Sequence, residues 1–180
     1  MKLFTKIVMT SLVLGSFSQV LAGQMYVAGE EGTLKAGKSD VTVFMGVPVD
    51  VEKKSTSLEG YLDGEKLFSS KNKALQIANV PKGTKTEKLA NGKVKITGII
   101  AQDDLSDDIK DVWSEQEEFY FESCTQCHAA HKLEEHTMNE WASVFGTMKG
   151  FAQLDDEEAT PLLRFLQSNA SNGLYAKDKK

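Results

Sequence analysis

Cysteine is nearly missing from this chain. Its 180 residues hold two, Cys124 and Cys127, too few for a disulfide-stapled scaffold or for a zinc site closed by four thiolates. Histidine is almost as scarce, with three. From Tyr26 to Ile100 there is neither Cys nor His, so that stretch offers no nucleophile beside a base and no metal-ligand cluster. No strand–helix–strand pattern surrounds the cysteines, which argues against a thioredoxin-like redox pair. The apolar run near the N-terminus falls short of the ~20 residues that span a bilayer. Cation excess is lacking too: a formal charge of −5 makes nucleic acid an unlikely partner on electrostatic grounds.

What is present converges on five residues, Cys124-Thr125-Gln126-Cys127-His128. C-x-x-C-H is the spacing of covalent haem attachment: the thiols add across the two vinyl groups from adjacent positions on one helical turn, and the following histidine lies under the iron as proximal ligand. The motif implies one covalently bound haem c per chain, held by Cys124 and Cys127 with His128 on the iron, and electron transfer as its chemistry. The distal ligand is one of Met138, Met148, His131 and His136, or none. His131 follows His128 too closely to leave the proximal side. His136 and Met138 would need a sharp reversal of the chain. Met148 comes after a complete short helix, between Gly146 and Gly150, where the backbone has room to approach the ring. It is the preferred distal ligand, with His136 next. The plainer readings are a core-filling thioether for Met148 and exposed, charge-paired histidines beside Lys132-Leu133-Glu134-Glu135. Met and His together would raise the reduction potential and fill both axial positions. A peroxidase-like enzyme would instead need an open distal site with an acid/base residue, for which His136 is the candidate.

Lys2 and Lys6 precede an apolar run from Ile7 to Leu14 and a small-residue site at Val20-Leu21-Ala22. This reads as a cleavable secretory signal over residues 1–22, with a retained anchor as the alternative. Periplasmic localisation follows, with no stable membrane insertion after cleavage. Loss of the two lysines takes the charge from −5 to −7. Acids gather at Asp103, Asp104, Asp107, Asp108, Asp111, Glu115, Glu117, Glu118 and Glu122 and again at Asp155 to Glu158. They form either a solvated helix face or a docking rim for a basic redox partner.

Alternating apolar residues and β-type turn signals occupy residues 23–101. Val41 to Phe44 is a strand core stopped by Gly46 and Pro48, Asp63-Gly64 and Asn91-Gly92 are hairpin turns, and Lys71 to Val80 is a short helix or another strand. A small antiparallel sheet or half-open barrel is expected there. After an acidic linker, 102–112, the period becomes helical. Ile109, Val112, Trp113, Phe119, Tyr120 and Phe121 lead into the cysteines. Thr137-Met138-Asn139-Glu140 is a capping box ahead of Trp141, Val144, Phe145 and Met148. A third helix starts at Asp155 or at Thr160-Pro161. The expected fold class is α+β: a small β-rich segment, then an all-α cytochrome c-like haem domain over 113–172, then a flexible tail at 173–180.

Trp113 to Ala170 resembles the C-terminal monohaem module of the TorC-type cytochromes that serve trimethylamine N-oxide and dimethyl sulfoxide reductases. The likeness is carried by Tyr120 with Cys124-Thr125-Gln126-Cys127-His128-Ala129, by Asn139-Glu140-Trp141, by Thr147-Met148-Lys149, by Leu154-Asp155-Asp156-Glu157 and by Leu166-Gln167-Ser168-Asn169-Ala170. The family's membrane-anchored tetrahaem part is expected to be absent, with the signal peptide in its place. The resemblance implies a periplasmic monohaem carrier in anaerobic respiration that passes electrons to a molybdoenzyme S- or N-oxide reductase, is reduced by a separate upstream donor, and carries no catalysis of its own. It places the family's distal methionine at Met148, with Tyr120 and Trp141 packing the haem. A haem-based redox or gas sensor of the same respiratory system is the alternative function.

Overall fold

A computed structural model of the protein describes residues 23–176. The expected signal segment, 1–22, and the last four residues of the expected tail lie outside the described residues. Ten strands precede three helices: β1 (Gly23–Val27), β2 (Glu31–Ala36), β3 (Ser39–Phe44), β4 (Pro48–Glu52), β5 (Ser55–Asp63), β6 (Lys66–Phe68), β7 (Gln76–Asn79), β8 (Glu87–Lys88), β9 (Val94–Gly98), β10 (Leu105–Ser106), α1 (Ile109–Cys124), α2 (Met138–Phe151) and α3 (Asp156–Ser168). The stretch 71–80, open between helix and strand from sequence, contains β7.

Every strand pairing is antiparallel. The order runs β10-β1-β4-β5-β6-β7-β3-β2, with β9 against β5 and β8. The free side of β2 then returns to the end of β9: Lys35 N–H donates to Ile99 O at 2.9 Å and Ile99 N–H to Lys35 O at 3.1 Å. The strands β5, β6, β7, β3, β2 and β9 thereby form a nearly closed barrel, which removes most of the open edge that a free sheet would present. Gly60 lets β5 serve both halves of the sheet: a side chain there would come within 2.7 Å of Leu67 and 2.8 Å of the Phe68 carbonyl. Alternation does the rest. Leu34, Val41, Val43, Leu58, Leu67 and Ile96 point inward at 1% exposure or less, and at the end of β9 it is Ile100 that is buried while Ile99 is 58% exposed.

The helices pack on this sheet. Trp113 and Tyr120 of α1 meet Phe165 of α3 at ring-centroid distances of 5.7 and 6.4 Å, and Tyr120 meets Trp141 of α2 at 6.2 Å. Arg164, the chain's one arginine, reaches from α3 to the sheet, where Nε donates to Met45 O at 2.9 Å and Nη1 to Gln76 O at 2.8 Å. Its guanidinium lies 5.0 Å from the Phe44 ring centroid. Burial lowers its pKa to about 10, so it stays charged near neutrality. Gln167 Nε2 bridges the carbonyls of Ala74 and Met138 at 3.2 and 3.1 Å.

These contacts correct the expected fold class. The protein is mainly antiparallel β, a nearly closed barrel-like sheet carrying three helices, and residues 113–172 are not an all-α cytochrome c-like domain. One hydrophobic core runs from Met25 and Val27 of the sheet through Trp113 and Leu162 of the helices to Ala170. Within the stretch read as a linker, β10 pairs with β1, Tyr26 opposite Ser106 and Val27 opposite Leu105. Three short helices cannot enclose their apolar faces among themselves, and the sheet supplies the missing partner surface.

Candidate functional site

Helix α1 leads directly into the C-x-x-C-H motif and ends on its first residue. Asp108 opens the helix by accepting from Lys110 N–H at 2.8 Å, and Thr125 closes it, its N–H bonding Phe121 O at 3.3 Å and its hydroxyl the same carbonyl at 2.6 Å. Cys127 and His128 therefore lie in the bend after the helix, whereas one helical turn was expected for both thiols. The next carbonyl, that of Glu122, accepts from the Gln126 side-chain Nε2 at 3.2 Å, where a continuing helix would use a backbone N–H.

A cleft of about 490 Å³ opens beside this bend, within the ~300–1,000 Å³ usual for small-molecule and cofactor sites. Cys124, Cys127 and His128 line it from the motif, Tyr120 from α1, Trp141, Val144, Phe145 and Met148 from α2, and Leu166 from α3. All four residues expected to hold the haem thus face one space. His131 lines the cleft as well, while His136 and Met138 do not. Met138 is 2% exposed and its sulfur accepts from Ser69 Oγ at 4.0 Å, which commits it to the core. Met148 is 36% exposed and available to a ligand.

Several hydrogen bonds preset the cleft. His128 Nδ1 lies 2.8 Å from Ala129 O; since a carbonyl only accepts, Nδ1 carries the proton and the lone pair sits on Nε2, free for a metal. Tyr120 donates to His131 O at 2.8 Å and Trp141 Nε1 to Leu133 O at 2.8 Å, so two cleft-wall side chains also fasten the chain beyond the motif. Burial, with help from the nearby Cys124, raises the Tyr120 hydroxyl to about 12, and it remains a donor at any ordinary pH. Burial also raises the Cys124 thiol. A redox dithiol would show the reverse, a thiol at a helix N-terminus with its pKa lowered. Cys124 instead closes α1 at the negative end of the helix dipole. The residues present fit a haem: two free thiols, an imidazole with its Nε2 lone pair presented, a thioether, and aromatic and aliphatic walls suited to an apolar macrocycle.

Sequence reasoning assigned His131 and His136 to exposed, charge-paired positions. His131 does pair with Glu135 at 3.0 Å, and that hydrogen bond holds the Glu135 carboxyl below its ordinary range. His136 differs, because its Nε2 is buried with no partner. No spacing rule marks that difference, which depends on the ring packing against Trp141 at a centroid distance of 4.8 Å.

Taken together, the cleft has the donor set and wall chemistry of a cytochrome c-type site. The chain is similar to the cytochrome c-type protein TorC of Escherichia coli O157:H7 and to that of Escherichia coli strain K12, with 36% identity to each over 90 residues. The matched stretch is 49% of this chain and 23% of either relative, so the chain matches less than a quarter of the length of the curated relatives, and the relationship holds over about half of the chain. No family model matches, and no solved structure matches.

Proposed function

We propose that the chain is a periplasmic monohaem c-type cytochrome that carries single electrons to a molybdenum-containing S- or N-oxide reductase. The observation that carries this reading is the single cleft onto which Cys124, Cys127, His128 and Met148 all face. Cys124 and Cys127 anchor one haem c through thioethers, His128 is the proximal ligand through Nε2, and Met148 is the distal ligand. When bound, the haem supplies a one-electron redox centre. The chain's own residues do the rest. Ala129 O orients His128, Tyr120 and Trp141 wall the cleft and fasten residues 131–133, and Val144, Phe145 and Leu166 keep water away. Segment 1–22 directs export and is then cleaved.

The relationship to TorC supports a cytochrome that relays electrons without catalysis of its own. The identity of the reductase rests on the resemblance of Trp113 to Ala170 to the TorC-type module. The acids of α1 and of the α3 start flank the helices that line the cleft and would steer a basic partner surface, an effect that salt screens.

The test is the optical spectrum of protein matured with haem, in wild type and in Met148→Ala. The weak long-wavelength ferric band of a sulfur-bonded iron is expected in wild type and lost in the variant. A wild type without that band overturns Met148 ligation, and a chain from which haem is removed by denaturation overturns the covalent anchor.

A further inference from the structure

Just beyond the motif, His131, Glu135 and His136 offer two imidazoles and a carboxylate whose ligand atoms all lie within 4.8 Å of one another. The short 3-10 turn Leu133–Glu135 folds the chain back so that these three positions converge. The backbone at both ends is already fixed: His131 O accepts from Tyr120, and His136 O accepts from Ser171 N–H at 2.9 Å and from its hydroxyl at 3.1 Å. The two imidazole rings stand 5.0 Å apart.

An ordinary ion pair accounts for half of this arrangement. His131 Nδ1 and Glu135 Oε2 are 3.0 Å apart, with both side chains 46% exposed, as in many surface pairs. It leaves His136 unexplained, for its Nε2 is a buried ring nitrogen without a partner. Buried polar atoms are rarely left so. Two imidazoles with one carboxylate form a donor set suited to borderline divalent ions and unsuited to calcium or magnesium, which take oxygen ligands.

We propose that His131, Glu135 and His136 bind a divalent first-row transition ion such as zinc, with water completing the coordination. Ion-to-donor distances of ~2.0–2.2 Å hold tetrahedral donors about 3.4 Å apart, so the group closes by roughly an ångström of side-chain rotation, which the exposed His131 and Glu135 permit. The ion would join the chain after the motif to the His136 ring that packs on Trp141, a second fastening of the cleft wall. The site uses neither thiol, and of its three side chains only His131 lines the cleft.

The experiment is equilibrium dialysis of the haem-loaded protein against zinc chloride after chelator treatment, with zinc and iron counted by elemental analysis. One zinc per chain is expected, bound at least tenfold more weakly by Glu135→Gln and by His136→Gln, with circular dichroism showing each variant folded. Neither side chain lines the haem cleft, so iron content reports the haem reading separately. Absence of stoichiometric zinc overturns the site, and so does equal affinity in both folded variants, which would move the ion elsewhere.

Discussion

Gly46 sits where β3 gives way to β4, at φ +74°, a left-handed conformation that an L side chain adopts at a cost of ~1–2 kcal/mol. A Cβ there would also overlap the Trp113 ring and come within 2.7 Å of the Tyr175 hydroxyl. Those groups are bonded to each other and to the turn: Trp113 Nε1 donates to Tyr175 Oη at 2.9 Å, and the Tyr175 hydroxyl donates to the Gly46 carbonyl. Gly46→Ala should therefore lower stability by about 2–5 kcal/mol, the conformational cost plus ~1–3 for overpacking. Denaturant unfolding measures it, and a loss under 1 kcal/mol would mean that the turn relaxes freely. In sequence, Gly46 could be read only as a strand stop, because what makes glycine necessary lies 67 and 129 positions away. Arg164 was equally mute, its acceptors being carbonyls in distant turns and strands. Cys124, Cys127 and His128 could be singled out because C-x-x-C-H is a local spacing, and the structure brings all three to one cleft.

Helix starts were legible for the same reason. Thr137 and Glu140 make the capping box of α2 in both directions, Thr137 N–H to the Glu140 carboxylate at 2.8 Å and Glu140 N–H to the Thr137 hydroxyl at 3.3 Å. Asp155 and Glu158 do likewise for α3, which settles its start at Asp155 and leaves Pro161 inside the helix. Thr137→Ala should cost about 1 kcal/mol at pH 7. The bonds from Thr137 hold the Glu140 carboxyl below its ordinary range. A depressed carboxylate contributes its stability above the unfolded value of ~4.3 and loses it as pH falls through the folded value. The gap between wild type and Thr137→Ala should thus narrow below about pH 4. A gap that widens in acid would show the cap acting through something other than the carboxylate. The end of α1 was not legible, since the Glu122 carbonyl goes to the side-chain amide of Gln126, which the sequence shows only as an x of C-x-x-C.

At the scale of the molecule, turn chemistry announced strands but could not announce that β2 closes onto β9, a pairing between residues as far apart as Lys35 and Ile99. The helical periodicity was sound, yet it names an apolar face without naming what covers it. Read alone, the faces of α1, α2 and α3 suggest a self-contained core; in the structure Trp113, Leu162 and Phe165 share one core with Val27, Val43 and Val47. A shared core predicts shared stability. The slowest-exchanging amides of β3 and of α3 should open with the same free energy, within about 1 kcal/mol, in native-state hydrogen exchange, because neither layer keeps its interior dry without the other. Residues 113–176 expressed alone should show no protected amides at all. If α3 instead opens several kcal/mol more easily than β3, or the isolated helical segment protects its amides, the helices form a module of their own and the sheet is only a neighbour. The former result would make the barrel part of the support of the cleft, since the α3 residues that carry Leu166 to the cleft are held to the sheet by Arg164 and Gln167.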